Sequence, residues 1–489
     1  MQFNSPYYIF FLFSLLFIYC KVKSSSRIFV LLIASYFFYI LISWQFSIAL
    51  FSLTLFSYFI SLLIDNDKLK NKGFYLSFGV FLTLIILFSF KYLSFAFLLF
   101  FRDTNFISIN PLIEMAGISF ISFNIISYLI DIYYGSCNVE RSFLRFCLYI
   151  SFFPKILQGP IERGKSFLEQ LKNLNIPTKY DVKYGFFIIL WGLFLKTVVA
   201  DRLAIYVNPI YENPFEANNS ATLLCILLYT LQIYFDFAGY TKIAIGSSRM
   251  FGIHLMENFN NPLAAISCTD FWRRWHISLS TFLKDYLFLP LSMQLRSFGK
   301  LGLIISTLLT FILAGLWHGA SLGFIAFGLY HGIWLSLELI LKPTRKKNNK
   351  EQTKLISFLY NTLLKTITFF SVSFSFIFFR SENLNVAFTI IDKTFLALYE
   401  LINNTNIFLE GILNALLDSP SNSVWYTVPY NTLILIFSFL IIYLARKFSI
   451  GLILSKSSKS MQLFATQVLL LSILFLGIVS TPSFVYFAF

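Results

Sequence analysis

Residues 301–341 read LGLIISTLLTFILAGLWHGASLGFIAFGLYHGIWLSLELIL. Two apolar runs, 301–317 and 322–341, flank a short break that carries His318. About 20 consecutive apolar residues take a helix across the hydrocarbon core of a bilayer. The stretch therefore predicts two membrane-spanning helices with a histidine at their junction. Outward from it the same pattern recurs, near 7–20, 28–44, 46–64, 74–100, 111–133, 184–199, 222–237, 361–379, 432–445 and 463–480. The expected fold is all-α: a polytopic transmembrane protein of about twelve spans, with re-entrant or interfacial helices between some of them. The first run lacks a basic leader and a small-residue cleavage site, and reads as a retained span.

Composition agrees. The 489 residues are 57% hydrophobic and only 12% charged, against roughly 25% charged in soluble domains. A surface with so few charges needs lipid as part of its solvent. The formal charge of +15 does not mark a nucleic-acid binder, because the basic residues sit in particular loops between apolar runs. The loops after the first, third, fifth, seventh, ninth and eleventh spans hold 31 of the 38 Lys and Arg. Short cytoplasmic loops collect Lys and Arg, so these loops are expected in the cytoplasm and both termini outside it. The opposite loops hold Arg102, Arg202, Arg380 and Lys393, and the long one after Arg380 leans acidic. Four segments follow: N-terminal spans over 1–110, a core over 111–341, a basic cytoplasmic linker over 342–360, and C-terminal spans over 361–489.

Two long loops carry apolar pieces too short to cross. In Phe152-Phe153-Pro154-Lys155-Ile156-Leu157-Gln158-Gly159-Pro160-Ile161 two prolines interrupt helix formation. Irregular backbone at membrane depth persists only when buried in protein or lining a wet cavity, so a re-entrant or interfacial element is expected. In Asp270-Phe271-Trp272-Arg273-Arg274-Trp275-His276-Ile277-Ser278-Leu279, an N-cap-like Thr269/Asp270 precedes an apolar face of Phe271, Trp272, Trp275 and Leu279. That pattern predicts an amphipathic helix dipping into the interface.

Four histidines bound the acid–base chemistry. An ionisable group between two spans is costly and marks a functional site by default. Histidine is the side chain best placed to take a proton near neutral pH, and the glycines beside His318 leave room for a substrate. The competing reading is a histidine held in a helix contact or in an aromatic belt beside Trp317. His276 reads, by position alone, as part of an interfacial anchor whose Arg273 and Arg274 reach lipid phosphates. His331 is a second buried ionisable group and reads as structural. His254 lies in a polar loop. Asp236 sits near the cytoplasmic end of a span and needs a cation, with Lys242 or a nearby arginine as candidates. The five cysteines are scattered, and no metal-ligand spacing, phosphate-binding glycine loop or Gly-x-Ser-x-Gly elbow occurs. No metal site is implied.

Several ordered motifs then carry a resemblance. Phe235-Asp236-Phe237-Ala238-Gly239-Tyr240, Arg249-Met250-Phe251-Gly252, Glu257-Asn258-Phe259-Asn260, Phe271-Trp272-Arg273-Arg274-Trp275-His276, Asp285-Tyr286, Gly315-Leu316-Trp317-His318-Gly319-Ala320 and Gly328-Leu329-Tyr330-His331-Gly332 resemble the membrane-bound O-acyltransferase (MBOAT) family, and within it the bacterial alginate O-acetyltransferase-like subfamily. Upstream, Gly117-Ile118-Ser119-Phe120, Phe153-Pro154 and Gly159-Pro160-Ile161 also fit. The chain departs from the subfamily pattern at Lys242, at Lys284 and over 292–300.

The resemblance implies an MBOAT core with a tunnel, His318 as catalytic base and His276 as a second functional histidine. It implies acetyl-CoA or an acyl-carrier thioester as donor substrate, with no permanently bound cofactor. Arg273 and Arg274 are candidates for holding that anionic donor. The acceptor would be a hydroxyl of an exported or cell-surface polysaccharide, as in alginate biosynthesis. The setting would be the bacterial inner membrane, with an SGNH-type acetyltransferase as extracytoplasmic partner. The alternatives are D-alanyl or other acyl transfer to teichoic acid or another envelope polymer, and a non-catalytic acyl or lipid transporter. The transporter reading expects inverted repeats, which the sequence does not display.

Overall fold

The structure, a computed structural model, describes residues 3–92, 115, 117–341, 354–417, 428–447 and 456–478. Every regular element among them is helical. In chain order they are α1 (Pro6–Lys21), α2 (Ser24–Ile40), α3 (Trp44–Asp65), α4 (Lys72–Lys91), α5 (Ile118–Tyr133), α6 (Phe143–Ser151), α7 (Gly164–Lys172) and α8 (Lys179–Leu193). A π-helical turn, Phe194–Ala200, leads on to α9 (Asp201–Glu212) and α10 (Asn219–Arg249). Then come α11 (Cys268–Arg274), α12 (Ile277–Leu283), α13 (Leu289–Gln294), α14 (Lys300–His318), α15 (Leu322–Leu341), α16 (Lys354–Arg380), α17 (Leu384–Asn403), α18 (Thr405–Leu417), α19 (Val428–Lys447) and α20 (Lys459–Leu471).

Eight helices among the described residues are long and apolar enough to cross a membrane, and four shorter apolar helices of 10–17 residues accompany them. Together they coincide with the twelve apolar runs of the sequence. The chain is thus a multi-pass helical membrane protein. The outer ends of several predicted spans, Arg102, and most of the basic linker lie outside the described residues.

The chain forms two compact units that do not follow its linear order. The first comprises Met1–Leu193, Gly239–Glu257 and Ile450–Leu470. Within it, α8 and the C-terminal part of α10 approach backbone to backbone. A Cβ added at Gly192 would stand 2.6 Å from the Gly239 carbonyl oxygen, and one at Gly185 2.5 Å from that of Gly246. Small residues permit this approach, and lipid-embedded helices gain their packing from it. The Pro-broken stretch 152–162 is irregular and buried. Two of its polar groups are answered by the first unit itself, as backbone and charge at this depth require. The Phe153 N–H donates to Ser35 Oγ (3.1 Å), and Lys155 Nζ donates to Asn124 Oδ1 (3.3 Å) over the Tyr149 ring.

The second unit comprises Phe194–Ala238, Asn258–Ser449 and Leu471–Phe489. Its core gathers Tyr229, Phe237, Phe271, Trp272, Trp275, Phe327 and Phe376. All four segments that matter for chemistry belong to it: the π-turn with α9, the first part of α10, α11–α12, and the α14–α16 run.

Three expectations change here. Asp236 lies inside α10, which runs on to Arg249, and its partner is Lys196. Lys242 pairs instead with Glu257. Arg202 is not in a loop. The helix continues past the π-turn and buries it completely. The 270–279 segment is two helices rather than one. Ser267, not Thr269 or Asp270, caps the first, accepting from the Asp270 N–H. His276 breaks the pair with a left-handed φ of 43°, a conformation in which non-glycine residues are uncommon and histidine is among the tolerated ones.

Candidate functional site

His318 is the last residue of α14, and its place is fixed by how α14 and α15 close on each other. A Cβ at Gly315 would stand 2.1 Å from the Phe324 carbonyl oxygen, and one at Gly328 2.2 Å from that of Phe311. The space beside Gly319 is taken by the Phe324 ring, 2.2 Å from an added Cβ. These glycines therefore serve close helix packing rather than leaving room for a substrate, contrary to the sequence expectation. Aromatic rings stand against the buried His318 imidazole. Phe379 meets it edge-on at 5.0 Å between ring centroids, Trp317 at 4.9 Å and Phe327 at 6.2 Å. Such walls shield the ring from water.

His276 is brought to the same place. Its ring centroid lies 6.1 Å from Trp317, whose other neighbour is His318, and 4.8 Å from Phe237. Two histidines that are 42 positions apart in the chain thus share one tryptophan. His276 is fully buried outside the spanning helices, and burial pushes its imidazole down to about 3. The Asn258 carbonyl accepts from the Ile277 N–H (2.9 Å) and the Asn260 N–H donates to the Arg274 carbonyl (2.9 Å), so the left-handed turn is braced on both sides.

The two arginines before it are not gathered at the histidines. Arg274 is held by Asp270 (2.9 Å) and reaches the Asn260 carbonyl oxygen, while Arg273 is exposed. Exposure leaves Arg273 free to meet an anion from solution.

His331 has a different office. Trp272 Nε1–H donates to its Nδ1 (3.2 Å), and its Nε2 lies 2.9 Å from Ser375 Oγ, which itself donates to the Val372 carbonyl (2.7 Å). The indole only donates, so the proton must be on Nε2, which donates to Ser375. Both ring nitrogens are used, and the residue ties α11, α15 and α16 together. Glu338 completes the brace. Its carboxylate accepts from the Cys268 N–H (2.6 Å), the Thr269 N–H (3.1 Å) and the Thr269 hydroxyl (2.6 Å), at the start of α11. A carboxylate at a helix N-terminus satisfies orphan donors and opposes the helix dipole.

Sequence reasoning passed over one buried cluster. Lys196 Nζ donates to Asp201 (2.7 Å) and Asp236 (2.6 Å), all three nearly inaccessible. Residues five apart meet because the intervening turn is π-helical, a wide turn often found at functional sites. Arg202, next in the chain, donates to Asn431 and to the Leu476 carbonyl. Formal charges of Lys196, Arg202, Asp201 and Asp236 cancel. A lone lysine inside an apolar run was the signal that could have found it, since such a residue demands a partner. Among the described residues no group of three His, Cys, Asp or Glu is arranged to hold a metal.

Comparison with known proteins adds to this geometry. The model of the MBOAT, membrane-bound O-acyltransferase family, matches residues 138–379. A probable alginate O-acetylase AlgI from Pseudomonas syringae is 36% identical over 397 residues, 79% of this chain and 74% of its own length. A peptidoglycan O-acetyltransferase from Helicobacter pylori is 30% identical, over 74% of this chain and 72% of its own. A teichoic acid D-alanyltransferase from Bacillus subtilis is 31% identical, over 56% of this chain and 70% of its own.

Proposed function

The chain belongs to the membrane-bound O-acyltransferase family and is an acyltransferase, and from that premise we propose that it acetylates a hydroxyl of an exported or cell-surface polysaccharide from a cytoplasmic thioester, with His318 as general base. The observation that carries the reading is the aromatic enclosure shared by His318 and His276 through Trp317. The O-acetylating relatives align over about three-quarters of the chain, the D-alanyl relative over 56%, and this favours acetyl as the group moved.

The reaction needs little from the protein beyond a base and dryness. His318 takes the proton of the acceptor hydroxyl as its oxygen attacks the thioester carbonyl carbon. A tetrahedral oxyanion forms, the C–S bond breaks, and the departing thiolate collects the proton to leave as a thiol. The thioester is already activated, so no covalent enzyme intermediate is required. Excluding water matters because water is the competing acceptor. A positioned base contributes about 10²–10⁴-fold. Arg273, exposed beside the His276 turn, is suited to an anionic donor such as CoA or a carrier-borne thioester. The loop charges support a cytoplasmic donor side and both termini outside, and the family resemblance supports an inner-membrane setting with an SGNH-type extracytoplasmic partner.

The test is transfer of labelled acetyl to acceptor polymer by the purified full chain in lipid. His318→Ala should lower the rate by about 10²-fold or more while the protein stays inserted and monodisperse. An unchanged rate would remove His318 from the mechanism.

A further inference from the structure

Arginine stays charged at every accessible pH, and a guanidinium at the edge of a spanning helix is costly without a partner. Arg380 ends α16. Its Nη2 donates to Asn208 Oδ1 (3.2 Å), and its guanidinium carbon lies 5.8 Å from the Tyr211 ring centroid and 6.0 Å from that of Tyr229. The two rings lie 5.6 Å apart, so the three side chains form one cluster. Among the described residues no carboxylate pairs with Arg380. Its Nε, the Tyr211 hydroxyl and the Tyr229 hydroxyl are all buried without a hydrogen-bond partner in the protein. Buried tyrosine hydroxyls ordinarily find one, and each left without carries a desolvation penalty. Three polar groups of matching kind, unsatisfied together, describe a site whose partner is a ligand.

The cluster adjoins the base. Phe376 and Arg380 are four apart and share a face of α16, on which Phe376 meets Tyr229 at 6.2 Å. Phe379, which precedes Arg380, is the ring set edge-on against His318. Arg380 is only half-buried, and so is its partner Asn208. A guanidinium offering a free N–H beside two phenol hydroxyls fits an oxyanion, a carboxylate or a phosphate.

Resting on the proposed function, we infer that Arg380, Tyr211 and Tyr229 form an acceptor subsite that binds an anionic group of a hydroxyl-bearing polymer and sets a neighbouring hydroxyl toward His318. On the topology expected from the loop charges, Arg380 lies on the face opposite Arg273 and Arg274. The anion it meets therefore belongs to the acceptor and not to the donor. Binding gives the three orphaned groups their partners, which makes the preference one for charge and not for sugar stacking.

The test reads binding, independently of transfer. The full chain in lipid nanodiscs is titrated with a labelled uronic-acid hexamer, its carboxyl-reduced neutral counterpart and a glycerol-phosphate hexamer. At least one charged oligomer should bind about 10-fold or more tightly than the neutral one, and which one does so identifies carboxylate or phosphate as the group held. Arg380→Gln should erase that preference and Arg380→Lys should keep part of it. Tyr211→Phe with Tyr229→Phe, which preserves the rings and the cation, should weaken the charged oligomer several-fold and guards against a fold defect in the arginine variants. His318→Ala should bind as the native chain does, so loss of transfer there speaks to the base alone. Equal binding of neutral and charged oligomers by the native chain overturns the subsite. So does a charge preference that survives both Arg380→Gln and the double tyrosine change.

Discussion

At the residue scale, the molecule separates histidines by what answers them. His331 has both nitrogens engaged and serves as a pin, whereas His318 is walled by rings. Both sit in or beside apolar runs, and the sequence reading took His318 as the candidate base and His331 as structural. The motif around His318 marked it as the candidate base, and the contacts of the structure explain how His331 is held. Lys196 is the sharpest residue-scale case. It neutralises two buried carboxylates at once. Removing one member of a buried ion cluster leaves an uncompensated charge and costs about 3–5 kcal/mol. Lys196→Met should therefore abolish stable expression or lower the melting temperature sharply. Lys196→Met with both Asp201→Asn and Asp236→Asn should recover much of the loss. Thermal melts in detergent decide the matter, and a single variant as stable as the native chain would deny the cluster its role.

At the element scale, the decisive object is α11 with the turn after it. Amphipathic spacing in 270–279 predicted one interfacial helix, and the apolar face was legible from Phe271, Trp272 and Trp275. The break at His276 was not legible, because a left-handed residue other than glycine leaves no mark in composition. Nor was the tether, since Glu338 lies 70 positions beyond the Cys268 N–H it accepts from. Glu338→Gln keeps the shape and removes the charge. Hydrogen bonds to a charged group contribute about 1.5–3 kcal/mol, so amide exchange at 268–274 should rise while exchange in α14 stays unchanged. Uniform exchange across both would show that Glu338 does not hold α11. The His276 turn carries a pH consequence. Its folded imidazole is depressed to about 3 by burial, below about 6.5 for the exposed side chain. The unfolded chain binds the extra proton, so this contribution is intact above about pH 6.5 and drains as pH falls toward 3. His276→Gln should flatten the fall in melting temperature between those limits. An equally steep fall in the variant would assign the pH dependence to other groups.

At the scale of the whole molecule, composition and loop charge make the membrane reading almost unaided. The twelve apolar runs reappear as eight long and four shorter helices. What stayed hidden is how the chain is shared between two units, with α10 and the 450–489 stretch each divided. Such a partition depends on contacts between residues hundreds of positions apart, and periodicity is blind to those. The proposed transfer is vectorial: thioester on the basic-loop side, hydroxyl on the other, His318 between. Sealed vesicles holding acceptor polymer inside and labelled acetyl thioester outside, sorted by protein orientation, test it most directly. Lumenal acetyl-polymer is expected only in vesicles with the basic loops facing out, and none with His318→Ala. Equal labelling in both orientations, or undiminished labelling without His318, would contradict it.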